Sequence, residues 1–175
     1  LSKSISILFF LAFIACSVLA VSAYRAEQPG VRLFTAYFNP VPVQGYAAQR
    51  SLSAGVNDAD ASIIRQAYAY HKAADYDLAL VSFRAYLESN PAPVNDETLL
   101  LAGTSAVATG NYAEGEEYLD QIEKNGPFAA EAWWHLALID VRQGDFAAGK
   151  NELKRVISKA GTGILPASEL LGQLP

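Results

Sequence analysis

One spacing constrains this chain more than any other feature. Aligning Tyr76, Tyr112 and Phe146 gives offsets of 36 and 34 residues. Three residues after each aromatic stands a small residue: Ala79, Gly115 and Gly149. Seven after it comes a large apolar side chain, Phe83, Leu119 and Leu153, and ten after it another, Tyr86, Ile122 and Val156. Nine before it the residue is small again: Ala67, Gly103 and Ala137. Pro91 and Pro127 follow the first two units, with Gly161 in that place in the third. A period of this length is the mark of paired helices stacked in a solenoid, where each unit buries its apolar face only against its neighbours.

Each repeated position has a physical reason. Two helices cross closely only where side chains are small, which pairs Ala67 with Ala79, Gly103 with Gly115 and Ala137 with Gly149. Asp75, Asn111 and Asp145 precede the second helix of each pair, where a short polar side chain caps the free backbone N–H groups. Gly110 and Gly144 suit the end of the first helix. Proline ends the second helix and starts the next unit. The expected architecture is all-α: a three-unit helical solenoid over residues 60–161, closed by a short helix within 162–175 whose Leu170, Leu171 and Leu174 cover the end of the stack.

Two segments precede the repeats. Within residues 1–23, Ile5 to Ala23 has 16 apolar residues of 19 and no charge. As a helix it spans about 28 Å, one hydrocarbon core. It reads as an uncleaved membrane anchor, as a signal peptide cut after Ala23, or as a lipoprotein signal modified at Cys16. Residues 24–59 lack sustained helical periodicity and read as a connector. Leu33-Phe34-Thr35-Ala36-Tyr37-Phe38 is followed by Asn39-Pro40-Val41-Pro42, whose prolines push the residues before them to extended backbone, with the neighbouring aromatics packing on the membrane interface or on the first folded helices. Gln49 to Ser62 is small and polar, a linker composition.

No constellation points to catalysis. The chain carries two histidines, His71 and His135, in different units, and one cysteine. There is no His-x-x-x-His pair, phosphate loop or nucleophile elbow. No metal, cofactor or catalytic residue is expected. Glu116 and Glu117 suit the positive end of a helix dipole, and Asp58 and Asp60 the start of the first helix. The net charge of −5 gives no footprint for nucleic acid.

Residues 60–161 resemble the tetratricopeptide repeat family, through the joint spacing of small, aromatic and apolar positions in three units. Asp140 departs from the pattern, standing where an apolar residue or tyrosine is common. The resemblance implies a protein-interaction module that binds a protein or peptide along the first helices of its units. Carried over position by position, that groove takes Ile64, Arg65, Tyr68, His71 and Lys72 from the first unit. The second gives Leu100, Leu101, Thr104, Val107 and Ala108, and the third Trp134, His135, Leu138, Val141 and Arg142. Arg65, Lys72 and Arg142 then either meet a carboxylate of the partner or are simply solvated, and Leu100, Leu101, Thr104 and Val107 line the groove or pack on the connector. Trp133 falls at a core position and Trp134 is left as the leading partner contact.

The whole arrangement also resembles bacterial membrane-anchored proteins with one span, an aromatic-x-Pro-x-Pro stretch and three repeats. That implies a single-pass inner-membrane protein with periplasmic repeats, the alternatives being a secreted protein or a lipoprotein. The absence of methionine suggests a further segment before Leu1. The chain would then be the extracytoplasmic half of a membrane signalling regulator.

Overall fold

The structure is a computed structural model that describes residues 28–43, 58–89, 94–160 and 166–175. The expected membrane or signal helix of residues 5–23, Cys16, Pro91 and Gly161 lie outside the described residues. Among the described residues there are eight helices and no strands. They are α1 (Pro29–Tyr37), α2 (Asp58–Lys72), α3 (Tyr76–Ser89), α4 (Asp96–Ala108), α5 (Tyr112–Asp120), α6 (Ala129–Gln143), α7 (Phe146–Ala160) and α8 (Ala167–Gln173). None of these is long and apolar enough to cross a membrane. Asp58 to Ser62, which the composition assigns to a linker, forms the first turn of α2.

Helices α2/α3, α4/α5 and α6/α7 pack as three hairpins. Their crossings fall at the small residues. A Cβ placed on Gly103 would lie 3.3 Å from the carbonyl oxygen of Gly115, and one on Gly149 would lie 3.3 Å from that of Ala137. Ala67 and Ala79 are fully buried at the first crossing. Phe83, Leu119 and Leu153 are likewise fully buried, each behind its hairpin. Helix α4 is enclosed on all sides, with every residue from Thr98 to Val107 buried, as befits the central helix of a stack. Units one and two are also joined at the surface. Arg84 on α3 donates to both carboxylate oxygens of Glu114 on α5, and the Tyr118 hydroxyl donates to Glu114. The guanidinium holds the Glu114 carboxyl below its usual range.

The hairpin turns repeat with one exception. Gly110 and Gly144 end their helices at φ of 84° and 87°, and the equivalent residue of the first unit, Ala74, sits at φ 59°. A side chain in the left-handed region costs about 1 kcal/mol or more, a cost glycine avoids. Ala74→Gly is therefore expected to stabilise the protein by roughly 0.5–1 kcal/mol in urea titration, and a loss of stability would contradict the strain. Asp75 and Asp145 cap α3 and α7 by accepting from the backbone N–H of Leu78 and Ala148. Asn111 does not cap α5, because its side chain turns back and donates to the Thr109 hydroxyl. At the far end α8 lies on α7, burying Ala167, Leu170 and Leu174.

Residues 28–43 depart most from the sequence reading. Although the sequence shows no sustained helical periodicity here, they begin with α1. Pro29 starts it in the first turn, a place where its missing N–H costs nothing. Gly30, Phe34, Tyr37 and Phe38 fall three or four residues apart, on one face. That stripe covers only two turns and then runs into Pro40 and Pro42, so periodicity alone did not register it. A helix this short depends on tertiary packing, and α1 finds it on α6. The aromatics thus pack mainly against α6 of the third unit, with Phe34 also meeting Tyr112 of the second, not against the first folded helices.

Candidate functional site

The first helices of the units, α2, α4 and α6, form one face, and α1 with its extended tail lies across it. Gly30 makes the closest approach: a Cβ there would stand 2.0 Å from the carbonyl oxygen of Val141. One turn later Phe34 is buried between α1 and α6. Its ring meets Tyr112 edge-on at 5.8 Å, and the Arg142 guanidinium lies over both, 5.7 Å from Phe34 and 4.0 Å from Tyr112. Cation–π contacts of this kind hold the guanidinium in place. Phe38 stacks on Phe34 at 4.8 Å and meets the His135 ring at 5.7 Å. Tyr37 stands edge-on to Trp134 at 6.3 Å, and its hydroxyl donates to Glu169 at 2.7 Å while accepting from Gln173. The segment therefore touches α6 and α8 at once.

From Phe38, itself in the extended region, the chain leaves the helix and reaches the first unit. The carbonyl of Val41 accepts from His71 Nε2 at 2.7 Å. A carbonyl has no hydrogen to give, so Nε2 carries the ring proton. On its other side, His71 Nδ1 pairs with the Ser105 hydroxyl at 2.8 Å, which ties α2 to α4. The ring is seated edge-on to Tyr76 at 5.2 Å. Burial pushes the His71 pKa down, opposed by the bond to Val41. His135 is more extreme. It is 1% exposed, its Nδ1 is buried without a hydrogen-bond partner, and burial pushes its pKa down to about 3. Both imidazoles are neutral at pH 7 for the same reason: water is excluded from the charged form.

The positions expected to receive a partner divide in two. Tyr68, Thr104, Trp134 and Leu138 are buried, Arg142 is half-buried under Phe34, and Arg65 and Lys72 are exposed. The Tyr68 hydroxyl is 3.0 Å from that of Thr98, and the Thr104 hydroxyl donates to the Leu100 carbonyl. Burial also reverses the expected order of the tryptophans. Trp134 is 4% exposed beneath Tyr37, whereas Trp133 is only partly buried, with its indole N–H enclosed and unpartnered. Arg142 is engaged by rings, so it does not form a carboxylate clamp with Arg65 and Lys72 in this arrangement. Sequence reasoning left packing of the connector on this face as one of two readings for Leu100, Leu101, Thr104 and Val107, but did not find helix α1 or its contacts with Trp134, His135 and Arg142. The signal available was the stripe from Gly30 to Phe38 directly ahead of the paired prolines.

Asp140, the departure noted in the repeat, is half-buried at the junction of α5, α6 and α7. Burial first, and then the charges of Asp145, Glu116, Glu152 and Asp120, push its pKa up to about 6. These carboxylates are not arranged as a metal site: among the described residues no group of three or more His, Cys, Asp or Glu is placed to hold an ion.

Comparison with known proteins agrees with the repeat geometry over part of the chain. Residues 100–149 match a family model described as a tetratricopeptide repeat. That stretch covers most of α4, all of α5 and α6, and the start of α7. It is therefore similar to a repeat class that generally mediates contacts between proteins. No curated protein matches the chain.

Proposed function

We propose that this protein is a non-enzymatic interaction module that docks a segment of a partner protein on the face built from α2, α4 and α6. One observation carries the reading. That face already holds a peptide-like segment, residues 28–43, through aromatic contacts and a main-chain hydrogen bond. Helix-in-groove docking with an added backbone contact is a general mode of peptide recognition. The tetratricopeptide repeat match supports the same class. The absence of convergent reactive groups in the sequence favours binding over chemistry. Residues 5–23 serve as the tether, since an uncharged stretch of this length suits a bilayer. The repeats then lie outside the cytoplasm of a bacterial cell.

Photo-crosslinking in intact cells tests the docking face. A crosslinking residue at Arg65 or Lys72, both exposed on α2, is expected to give a defined protein adduct. The same residue at Val81, 58% exposed on α3, is expected to give none. Adducts that favour Val81 over both inner positions would place docking elsewhere and defeat the reading.

A further inference from the structure

We propose that residues 28–43 are a displaceable stand-in for the ligand of this face. The partner segment accordingly shares their chemistry: a two-turn helix with a small residue at the crossing, aromatics three and four residues apart, and an extended tail that offers a carbonyl. This rests on the reading that α2, α4 and α6 form a docking face, and it adds what the partner looks like and what must leave before it binds.

Three observations support it. The segment is anchored at a few discrete points, as a ligand is. Gly30 lies against Val141, Phe34 against Arg142, Tyr37 against Trp134, Phe38 against His135, and the Val41 carbonyl against His71. It is also a single layer. Arg32, Thr35, Ala36, Asn39 and Pro42 are exposed on its outer side, so no part of the described repeats overlies it. Finally, the fit is incomplete at one point. The ring of Phe38 covers His135 but supplies no hydrogen bond, and Nδ1 stays buried and unpaired. Buried polar atoms in a finished core are nearly always satisfied. A segment whose hydrogen-bonding group reached Nδ1 would gain an interaction the resident one lacks, and so have the means to compete.

Occupancy in cis lowers the apparent affinity for a partner by the fraction of time the face is free. Gly30 provides the way to change that fraction without altering the face. A methyl at Gly30 meets backbone, not a side chain that can rotate away. Gly30→Ala must therefore lift α1 from α6, while alanine favours the helix itself.

The test uses the full chain in detergent micelles and a fluorescein-labelled synthetic peptide with the sequence of residues 28–43. Fluorescence anisotropy is expected to show at least ten-fold tighter binding to Gly30→Ala than to the unaltered protein. Equal affinities, or no binding to a variant whose circular dichroism remains native, would overturn the proposal. A concentration-dependent dimer that excludes the peptide would make a second copy the occupant, and overturns it as well. Hydrogen exchange on the unaltered protein decides the matter independently of any variant. The amides of α1 are expected to exchange at least ten-fold faster than those at the centre of α6, through a local opening. Equal protection of the two helices would mean that the segment leaves only when the whole protein unfolds, and the proposal would fail. If the peptide result fails while adducts still form at Arg65 and Lys72, the docking face stands and only the stand-in is lost.

Discussion

Replacing Gly115 with leucine is expected to cost about 2–3 kcal/mol of stability, the upper range for inserting carbon into a packed crossing. The reason lies in what the new atoms meet. A Cβ at Gly115 would stand 2.7 Å from Val107 Cγ2 and 3.2 Å from the carbonyl oxygen of Gly103. Val107 is fully enclosed and β-branched, so it has little freedom to turn aside, and the carbonyl belongs to the backbone of α4. The remaining carbons of leucine have no space unless α4 and α5 separate. Helix propensity works the other way, since leucine is better than glycine inside a helix by up to about 1 kcal/mol. Overpacking is the larger effect and decides the sign. Gly115→Ala is the milder contrast: its methyl is the atom that meets Val107 Cγ2 at 2.7 Å, so Val107 must still shift, but no further carbons need space and the propensity gain offsets part of the cost. A thermal melt should show a fall of roughly 4–12 °C for the leucine variant and a smaller fall for alanine. A leucine variant within about 1 kcal/mol of the unaltered protein would mean that the second hairpin does not cross at Gly103 and Gly115.

The same crossing shows why the repeats were legible in the sequence. Small residues at a fixed offset from an aromatic are demanded by helix contact, and the demand recurs in each unit, so the pattern reinforces itself. Spacing pairs Ala67/Ala79, Gly103/Gly115 and Ala137/Gly149; the last two pairs meet in the structure, and Ala67 and Ala79 are both fully buried in their hairpin. The segment across the inner face had no such reinforcement. Helix α1 occurs once, spans nine residues and is held by long-range contacts to α6 and α8. Nothing local distinguishes Phe34 and Tyr37 as groove-filling side chains, because their partners, Arg142 and Trp134, lie about a hundred residues away in the chain. The residues lining the face follow from the resemblance to the repeat family, but their exposure is not readable from it. Trp134 looked open because the pattern describes a solenoid with an empty face, and here Tyr37 covers it. The turn at Ala74 was also invisible: a left-handed residue is announced by glycine at Gly110 and Gly144, while alanine gives no sign of it.

Acid should weaken the fold through His135, and the effect should be separable from every other titration in the molecule. Its folded pKa is held down to about 3 by complete burial, while in the unfolded chain an imidazole titrates near 6.5. Between these values the unfolded state takes up a proton that the folded state refuses, so unfolding becomes more favourable as pH falls below about 6.5. At pH 5 that difference amounts to about 2 kcal/mol from this residue alone, at 1.36 kcal/mol per pH unit. His71 acts in the same direction, since its pKa is also lowered by burial. Asp140 opposes both. Its carboxyl is raised from 3.8 to about 6, so its stabilising contribution is present at low pH and is lost as pH rises through the folded value. The slope for the unaltered protein therefore mixes opposite signs, and a comparison of variants is needed. His135→Leu replaces the ring with an apolar side chain of similar volume and removes an unpaired buried nitrogen. At pH 7.5 the exchange should be close to neutral or mildly stabilising. Between pH 7.5 and pH 5 the leucine variant should lose about 2 kcal/mol less than the unaltered protein in urea titrations at the two pH values. His71 and Asp140 are present in both proteins, so they cancel in that difference. If both proteins lose the same stability, His135 takes up its proton without leaving the folded state, and the enclosure by Phe38 and α6 is looser than the geometry requires.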